Sequence, residues 1–405
     1  MSKSLTYNFR VMIIENQKEA NHELSTIGCD VEGIKIMRDK YTFYTIKIKD
    51  LSPTQVNIIK QEILSLGGEA ATARGAIDHS IKKSDTIISG TLKQIESLIN
   101  KLSSHKYFDL SKIGQAIKEA LRNFLAEPTL FKARNLSINL KKRTYIMGIL
   151  NVTPDSFYDG NKYYDYENAI KRADELISLG ADIIDIGGES SRPRAKLVSE
   201  KEEIQRILPV VKYLAKKKKC LISIDTQKSK VAEKALIAGA HIINDISALN
   251  FDSKMAKTIA RYNAGVILMH MQGSPKTMQN NPLYKDLIFE VISYLKKSIE
   301  IAEKTGILSD QIIVDPGFGF GKTITHNLTL LKKLKELKIL GYPILAGTSR
   351  KSMIGNILNL PVDKRLMGTA ATVVLAILNG ANIIRVHDVE EMREVAKTTD
   401  LIVRV

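Results

Sequence analysis

Eight short apolar runs recur through the last two-thirds of the chain, separated by stretches of helical period, and nearly every run ends in residues suited to chemistry. Residues 145–150 lead into Asn151, 182–186 into Gly187-Gly188-Glu189-Ser190-Ser191-Arg192-Pro193, and 221–224 into Asp225-Thr226. Residues 241–243 lead into Asn244-Asp245, 266–269 into His270-Met271, and 312–314 into Asp315-Pro316-Gly317. The last two runs, 344–346 and 382–384, precede Gly347-Thr348-Ser349-Arg350-Lys351 and Arg385-Val386-His387-Asp388. Apolar runs of this length with helices between them read as buried parallel strands. Eight βα units in series predict an α/β chain closed into a (β/α)8 barrel, whose site is built at the C-terminal ends of its strands. The polar residues fall there.

The intervening segments agree. In 166–179 the residues Ala169, Ile170, Ala173, Leu176 and Ile177 share one face, and Gly180 follows as a C-cap; in 228–238 Val231, Ala235 and Ala238 precede Gly239. Longer helices are expected over 284–305, 327–340 and 364–379. Residues 131–140 and 143–150 read as strands flanking the basic turn Lys141-Lys142-Arg143, the second being barrel strand one. The first 128 residues lack this alternation and read as a small α+β domain, with a boundary near Ala126-Glu127-Pro128 and the barrel over 129–405. Strands are expected there at 7–14, 42–48, 69–74 and 86–89, and helices at 53–66, 92–102 and 111–125. Ser52 and Pro53 supply an N-cap and a first-turn proline. His22, Cys29, His79 and His105 are scattered without metal-ligand spacing.

A chain of 405 residues, 44% hydrophobic and 26% charged, has material for two domains with ample cores. No run approaches the length of a membrane span, and the N-terminus has no apolar leader, so the expectation is a cytoplasmic protein. Two distant cysteines make neither a disulfide framework nor a metal knuckle. The net charge of +16 is spread along the chain. Its one dense run, residues 216–219, sits between a helix and a strand without interleaved aromatics, which argues against nucleic acid. A basic surface would draw in small anionic substrates.

Asp315-Pro316-Gly317-Phe318-Gly319-Phe320-Gly321-Lys322-Thr323 imitates a nucleotide loop. A P-loop requires Gly where this chain has Pro316, and a dinucleotide loop requires Gly where it has Lys322, so both are rejected. The glycines still imply a tight loop near ligand, with Phe320 packing a ring. Asp225, Asn244 and Asp315 bring a carboxylate, an amide and a carboxylate from three strands to one barrel mouth. Such groups match the edges of a flat polar heterocycle with a guanidine-like face. Arg385 and His387, two apart on a strand, project the same way and suit an anion such as diphosphate. Asn151 suits Mg²⁺ held jointly with substrate phosphates. Lys351 adds a charge within reach of ring or anion.

Each residue has a plainer reading: Asp225 and Asp315 as helix N-caps, Asn244 as a loop partner, His270 and His387 as satisfied core histidines, Lys351 as a solvated lysine. Their joint placement at strand ends favours a site. The residues alone give a barrel with a ring-and-anion site.

Several segments carry a resemblance. Met147-Gly148-Ile149-Leu150-Asn151-Val152-Thr153-Pro154-Asp155-Ser156-Phe157, Asp185-Ile186-Gly187-Gly188-Glu189-Ser190, Asn244-Asp245 and Met269-His270-Met271-Gln272-Gly273 come first. Residues 315–322, Ser349-Arg350-Lys351-Ser352-Met353-Ile354-Gly355 and Arg385-Val386-His387-Asp388-Val389 follow in the same order. Together they make residues 144–405 resemble the dihydropteroate synthase family of folate synthesis, a pterin-binding TIM-barrel family. The N-terminal 130 residues or so lie outside the resemblance to the common short synthase.

The resemblance implies joining 6-hydroxymethyl-7,8-dihydropterin diphosphate to 4-aminobenzoate, giving 7,8-dihydropteroate and diphosphate. It implies pterin binding by Asp225, Asn244, Asp315 and Lys351, and diphosphate binding by Asn151, Arg385 and His387 with Mg²⁺ at Asn151. Lys351, Arg385, His387 and Asn151 would then be the catalytic residues, and 4-aminobenzoate would sit among Ser191, Arg192, Pro193, Phe320, Lys351 and Ser352. Two mobile loops, 151–165 with Asp155 and Asp159 and 187–197, would close over the site. It further implies a homodimer, competition by sulfonamide-type analogues, and diphosphate departing before the amine attacks. Ser191 and Arg194 depart from the family's usual threonine and glycine, which bears on the second loop. Two rival readings are a methyltransferase acting on a methylated folate, which has no use for an anion clamp, and a pterin-binding protein without catalysis, which would be expected to lose Asn151, Lys351 or Arg385.

Overall fold

A computed structural model describes residues 9–152, 162–189, 198–274 and 277–403, with only the backbone for 162–165. The chain divides into two compact units, Met1–Arg122 and Asn123–Val405. In the first, α1 (Gln17–Thr26) and α2 (Val31–Met37) precede β1 (Phe43–Leu51), α3 (Pro53–Ser65), β2 (Glu69–Thr72), β3 (Ser84–Thr91), α4 (Leu92–Ser104) and α5 (Leu110–Leu125). The antiparallel sheet runs β1-β3-β2. Ser52 and Thr91 start α3 and α4 through reciprocal capping boxes with Gln55 and Gln94, which satisfy otherwise orphaned N–H groups. Val56, Ile59, Ile63, Ile88, Ile95 and Leu98 form the core of this unit. The strand expected at 7–14 does not form over 9–14, which carry no regular structure, and 7–8 lie outside the described residues; two unexpected helices, α1 and α2, follow. Their caps, Asn16 and Asp30, were present in the sequence, but few apolar residues mark a face: Ala20 and Leu24 are the buried residues of α1, and α2 buries none.

The second unit begins with a hairpin, β4 (Leu130–Ala133) and β5 (Leu136–Asn139), where a single strand was expected. Arg134 turns the chain at φ +58° and its guanidinium donates to the carbonyls of Leu236 and Ala240. Eight parallel strands follow: β6 (Tyr145–Asn151), β7 (Ile183–Gly187), β8 (Leu221–Asp225), β9 (Ile242–Asp245), β10 (Gly265–Met269), β11 (Ile312–Asp315), β12 (Ile344–Ala346) and β13 (Ala381–Val386). They pair in sequence order, and β13 closes on β6 through Ile383–Tyr145 and its successors. The helices around the barrel are α6 (Lys162–Ser178), α7 (Glu200–Lys217), α8 (Ser229–Ala238), α9 (Met255–Arg261), α10 (Leu287–Lys304), α11 (Ile324–Lys332), α12 (Ser352–Leu358), α13 (Leu366–Leu378) and α14 (Val389–Val403). The helix expected over 327–340 is α11 followed by a 3₁₀ stretch, Leu334–Leu340. Gly239 ends α8 in the left-handed region, φ +114°, where a Cβ would come within 2.6 Å of Ala215.

Two apolar layers fill the barrel. At its N-terminal end Tyr145, Met147, Ile183, Leu221, Ile242, Ile267, Ile313, Leu345 and Ile383 pack with Phe131, Ala133 and Leu140 of the hairpin. Phe131 is fully buried and occupies the space beside Gly265 that a Cβ would need, 2.5 Å from its Cζ. The hairpin is therefore the floor of the barrel. At the other end Ile246, Met269, Met271, Met278 and Phe320 form a small cluster beside the polar strand ends.

Candidate active site

The strand register brings the polar residues together. Asn151 pairs with Gly187, Gly187 with Asp225, and Asp225 with Asn244, so four strand positions form one rung at the C-terminal ends of β6 to β9. Gly187 adds no side chain to that rung, and Asp315 ends β11 opposite Met269. A cavity of about 310 Å³, including its open mouth, is lined by Asp225, Asn244, Asp315, Lys351, Arg385 and Phe320 together with Ile246, Met269, Phe318 and Gly347. Five of the expected site residues from five strands and loops, with Phe320, thus share one cavity.

Asp185, on β7 one layer below the rung, organises the polar half. It is fully buried and accepts from Ser223 Oγ at 2.6 Å, Asn244 Nδ2 at 3.0 Å and Arg385 Nε at 2.6 Å. Because an ionised carboxylate only accepts, Asn244 turns its amide nitrogen to Asp185. Its Oδ1 is then left buried without a partner among the described residues. A buried carbonyl oxygen without a donor costs free energy that a ligand N–H can recover. The sequence reading gave Asp185 no role. The signal was a carboxylate inside a wholly buried strand, which must be paired to be tolerated.

Arg385 also donates from Nη2 to Asp225 Oδ2 at 2.8 Å. The expected clamp of Arg385 with His387 on a shared anion takes a different geometry here: Arg385 is held by two carboxylates, while His387 Nδ1 lies 3.0 Å from Ser349 Oγ. Burial raises the Asp225 carboxyl well above its ordinary range; Arg385 opposes this and Asp185 adds to it. Asp315 is likewise pushed up by burial, although its Oδ1 accepts from Gly317 N at 2.7 Å. Neither carboxylate caps a helix: the N-cap of α8 is Lys228, and the Asp315 bond stays within its own turn.

Lys351 stands at the start of α12 with its ammonium 4.5 Å above the centre of the Phe320 ring. Burial and the nearby Arg385 lower its pKa to about 8, against the attraction of Asp315 and Asp225. The loop carrying Phe320 is held from beneath by Lys322, whose buried ammonium donates to the carbonyls of Gly317 and Phe320 at 2.9 and 3.0 Å and meets His270 Nδ1 at 2.9 Å. Burial, reinforced by Lys322, drops the His270 pKa to about 2, so it is a neutral acceptor for Lys322 and packs edge-on against Tyr294. His270 is therefore a satisfied core histidine. Gly317 must be glycine, since at φ +68° a Cβ would fall 2.0 Å from the His270 carbonyl oxygen.

Of the remaining expected residues, Ser352 is exposed at the first position of α12 and does not line the cavity. Ser191, Arg192, Pro193, Asp155, Asp159 and Arg194 lie outside the described residues. The two residues flanking 190–197 meet at one ammonium: Lys228 Nζ bonds Glu189 Oε2 at 2.8 Å, the Val198 carbonyl at 2.7 Å and Glu203 Oε2 at 2.7 Å. No cluster of three or more acidic, histidine or cysteine side chains able to hold a metal occurs among the described residues. Asn151 presents a half-buried amide at the mouth with no side-chain hydrogen bond among those residues. A single hard oxygen of this kind fits Mg²⁺ only when substrate phosphates and water complete its octahedron.

The barrel is similar to known proteins. Residues 147–387 match the family described as pterin binding enzyme. The dihydropteroate synthase of Clostridium beijerinckii is 50% identical over 274 residues, which is 67% of this chain and 99% of that one. A probable bifunctional folylpolyglutamate synthase/dihydropteroate synthase of Halobacterium salinarum is 38% identical over 386 residues, 95% of this chain and 46% of that protein. The crystal structure of Yersinia pestis dihydropteroate synthase in complex with a sulfonamide drug superposes with a TM-score of 0.65 at 44% identity, covering 68% of this chain and all of the other. The closed barrel, the family match and half-identity over the whole barrel lead to one conclusion: this chain belongs to the pterin-binding enzymes, in the dihydropteroate synthase family.

Proposed function

We propose that the chain condenses 6-hydroxymethyl-7,8-dihydropterin diphosphate with 4-aminobenzoate, releasing 7,8-dihydropteroate and diphosphate. The observation that carries this is the rung of Asp225 and Asn244, facing Asp315 across one cavity, with the Asn244 Oδ1 buried and unpartnered. Asp225 and Asp315 accept from the amino-pyrimidine edge, Asn244 Oδ1 accepts a ring N–H, and Lys351 lies beside the ring. Asn151, His387 and the remaining Nη1 of Arg385 take the diphosphate. When bound, Mg²⁺ at Asn151 neutralises charge on the diphosphate.

The C–O bond to diphosphate breaks with its electron pair staying on oxygen, and the amine of 4-aminobenzoate then forms the new C–N bond and loses a proton. The reaction needs no side-chain nucleophile. Donors already in place for the charge that grows on the leaving group supply the rate, because they need no reorganisation. Phe320, beneath the Lys351 ammonium, offers the second substrate a flat apolar contact, with Ser191, Arg192, Pro193 and Ser352 beside it. The same resemblance supports a cytoplasmic homodimer in which sulfonamide-type analogues displace 4-aminobenzoate; among the described residues no helix is long and apolar enough to cross a membrane.

The test is diphosphate release by the full-length protein in Mg²⁺, with and without 4-aminobenzoate. Release that needs 4-aminobenzoate and matches dihydropteroate formation is expected. Pterin binding with no turnover would refute the reaction while leaving the ring site.

A further inference from the structure

Ser349 and His387 meet beyond the ends of β12 and β13. The Ser349 hydroxyl lies 3.0 Å from His387 Nδ1, and the backbone N–H of His387 donates to the same oxygen at 3.2 Å. Ser349 is 3% exposed, and its hydroxyl has no other hydrogen bond among the described residues. A hydroxyl has one proton to give and two lone pairs. If Nδ1 carried the ring proton, the oxygen would accept from two N–H groups and bury its own proton with no acceptor. That arrangement forfeits a hydrogen bond. If Nδ1 is bare, Ser349 donates to it and accepts from the backbone, and the hydroxyl and Nδ1 are both satisfied. The ring proton is then on Nε2.

The surroundings keep the ring uncharged. Arg385 precedes His387 on β13, Arg350 and Lys351 follow β12, and Arg172 of α6 donates to the His387 carbonyl at 3.2 Å. Asp388, the acidic residue next in the chain, is paired in bidentate fashion with Arg350. Burial comes first, then Arg385, Arg350 and Lys351, in lowering the His387 pKa to about 4 against the pull of Asp388.

We propose that Ser349 is a positioning residue that fixes His387 as the neutral Nε2–H tautomer, so that His387 offers a phosphate oxygen a hydrogen-bond donor and acts neither as cation nor as base. The ligand in this statement rests on the proposed function; the tautomer does not. The ring of the ligand-free protein then stays neutral between pH 5.5 and 8.

The experiment is ¹⁵N spectroscopy of histidine-labelled full-length protein over that pH range, with the His387 ring identified by the signals lost in His387→Gln. The expected spectrum is a protonated Nε2 and a bare Nδ1 that do not change. Ser349→Ala should abolish that preference and weaken inorganic diphosphate binding about five- to tenfold, the effect of one lost hydrogen bond. Ser349→Thr, which keeps the hydroxyl, should retain the wild-type spectrum and affinity. An Nδ1–H ring or an imidazolium in the wild type would overturn the proposal, as would a Ser349→Ala spectrum identical to it. A wild-type protein with the expected tautomer but no diphosphate binding would sink the functional reading alone, since the spectrum of Ser349→Ala still decides the role of Ser349.

Discussion

Arg385 Nε sits 2.6 Å from Asp185 Oδ2, joining the last barrel strand to the second across the first. One guanidinium thereby pins two buried carboxylates, Asp185 and Asp225, into the wall of the cavity. This ties ligand recognition to the stability of the barrel mouth.

Arg385→Ala should therefore do more than weaken diphosphate binding. Removing one member of a buried ion pair leaves an uncompensated charge and costs about 3–5 kcal/mol. A lower thermal midpoint by calorimetry, together with loss of pterin-diphosphate affinity, is expected. A variant as stable as the wild type would show that the two ion pairs are not formed in solution.

Asn244→Leu separates binding from folding. Asp185 keeps Ser223 and Arg385, and the orphaned Oδ1 disappears, so stability should change by less than about 1 kcal/mol. Pterin affinity should fall about tenfold, roughly 1.4 kcal/mol, when measured by titration calorimetry. Equal affinity would remove Asn244 from the ring edge.

Lys351 predicts a pH dependence of stability. Its folded pKa of about 8 lies below its ordinary 10.5. Between those values the unfolded chain binds more protons, so this group's contribution to stability rises with pH across the window, and its burial cost is fully present below pH 8. Lys351→Met should stabilise the ligand-free protein at pH 7 by about 1–3 kcal/mol, with the gain shrinking by pH 10, while pterin binding weakens. Denaturant titrations of both proteins at the two pH values test this; a gain that grows with pH would contradict it.

Phe131→Ala should empty the barrel floor. The ring is fully buried and fills the space beside Gly265, and deletions of this kind cost about 3–5 kcal/mol. A fragment of residues 129–405, which keeps the hairpin, should unfold cooperatively, whereas one beginning at Arg143 should be far less stable. Equal stability of the two fragments would show that the hairpin is dispensable.

Local chemistry made much of this protein legible in its sequence. Eight apolar runs with helical spacing between them can bury both faces of a strand in few other ways than a closed barrel, and chain direction puts Asn151, Asp225, Asn244 and Asp315 at one end of it. The N-cap Ser52 with Pro53 and the C-cap Gly239 act within a few residues and were equally readable. Tertiary structure decided what depends on partners far apart in the chain. Asp185 gains its importance from Arg385, 200 residues away, and His270 becomes a core group through Lys322, 52 residues away. Two-residue spacing at the end of β13 predicts one direction for Arg385 and His387 but cannot say that carboxylates on β7 and β8 will take the first and Ser349 the second. The single strand expected at 131–140 breaks into a hairpin because Arg134 finds carbonyls at Leu236 and Ala240. Pattern sets the backbone, because burial acts on every residue of a run; which polar groups pair is settled only when the closed barrel brings distant strand ends within hydrogen-bonding distance.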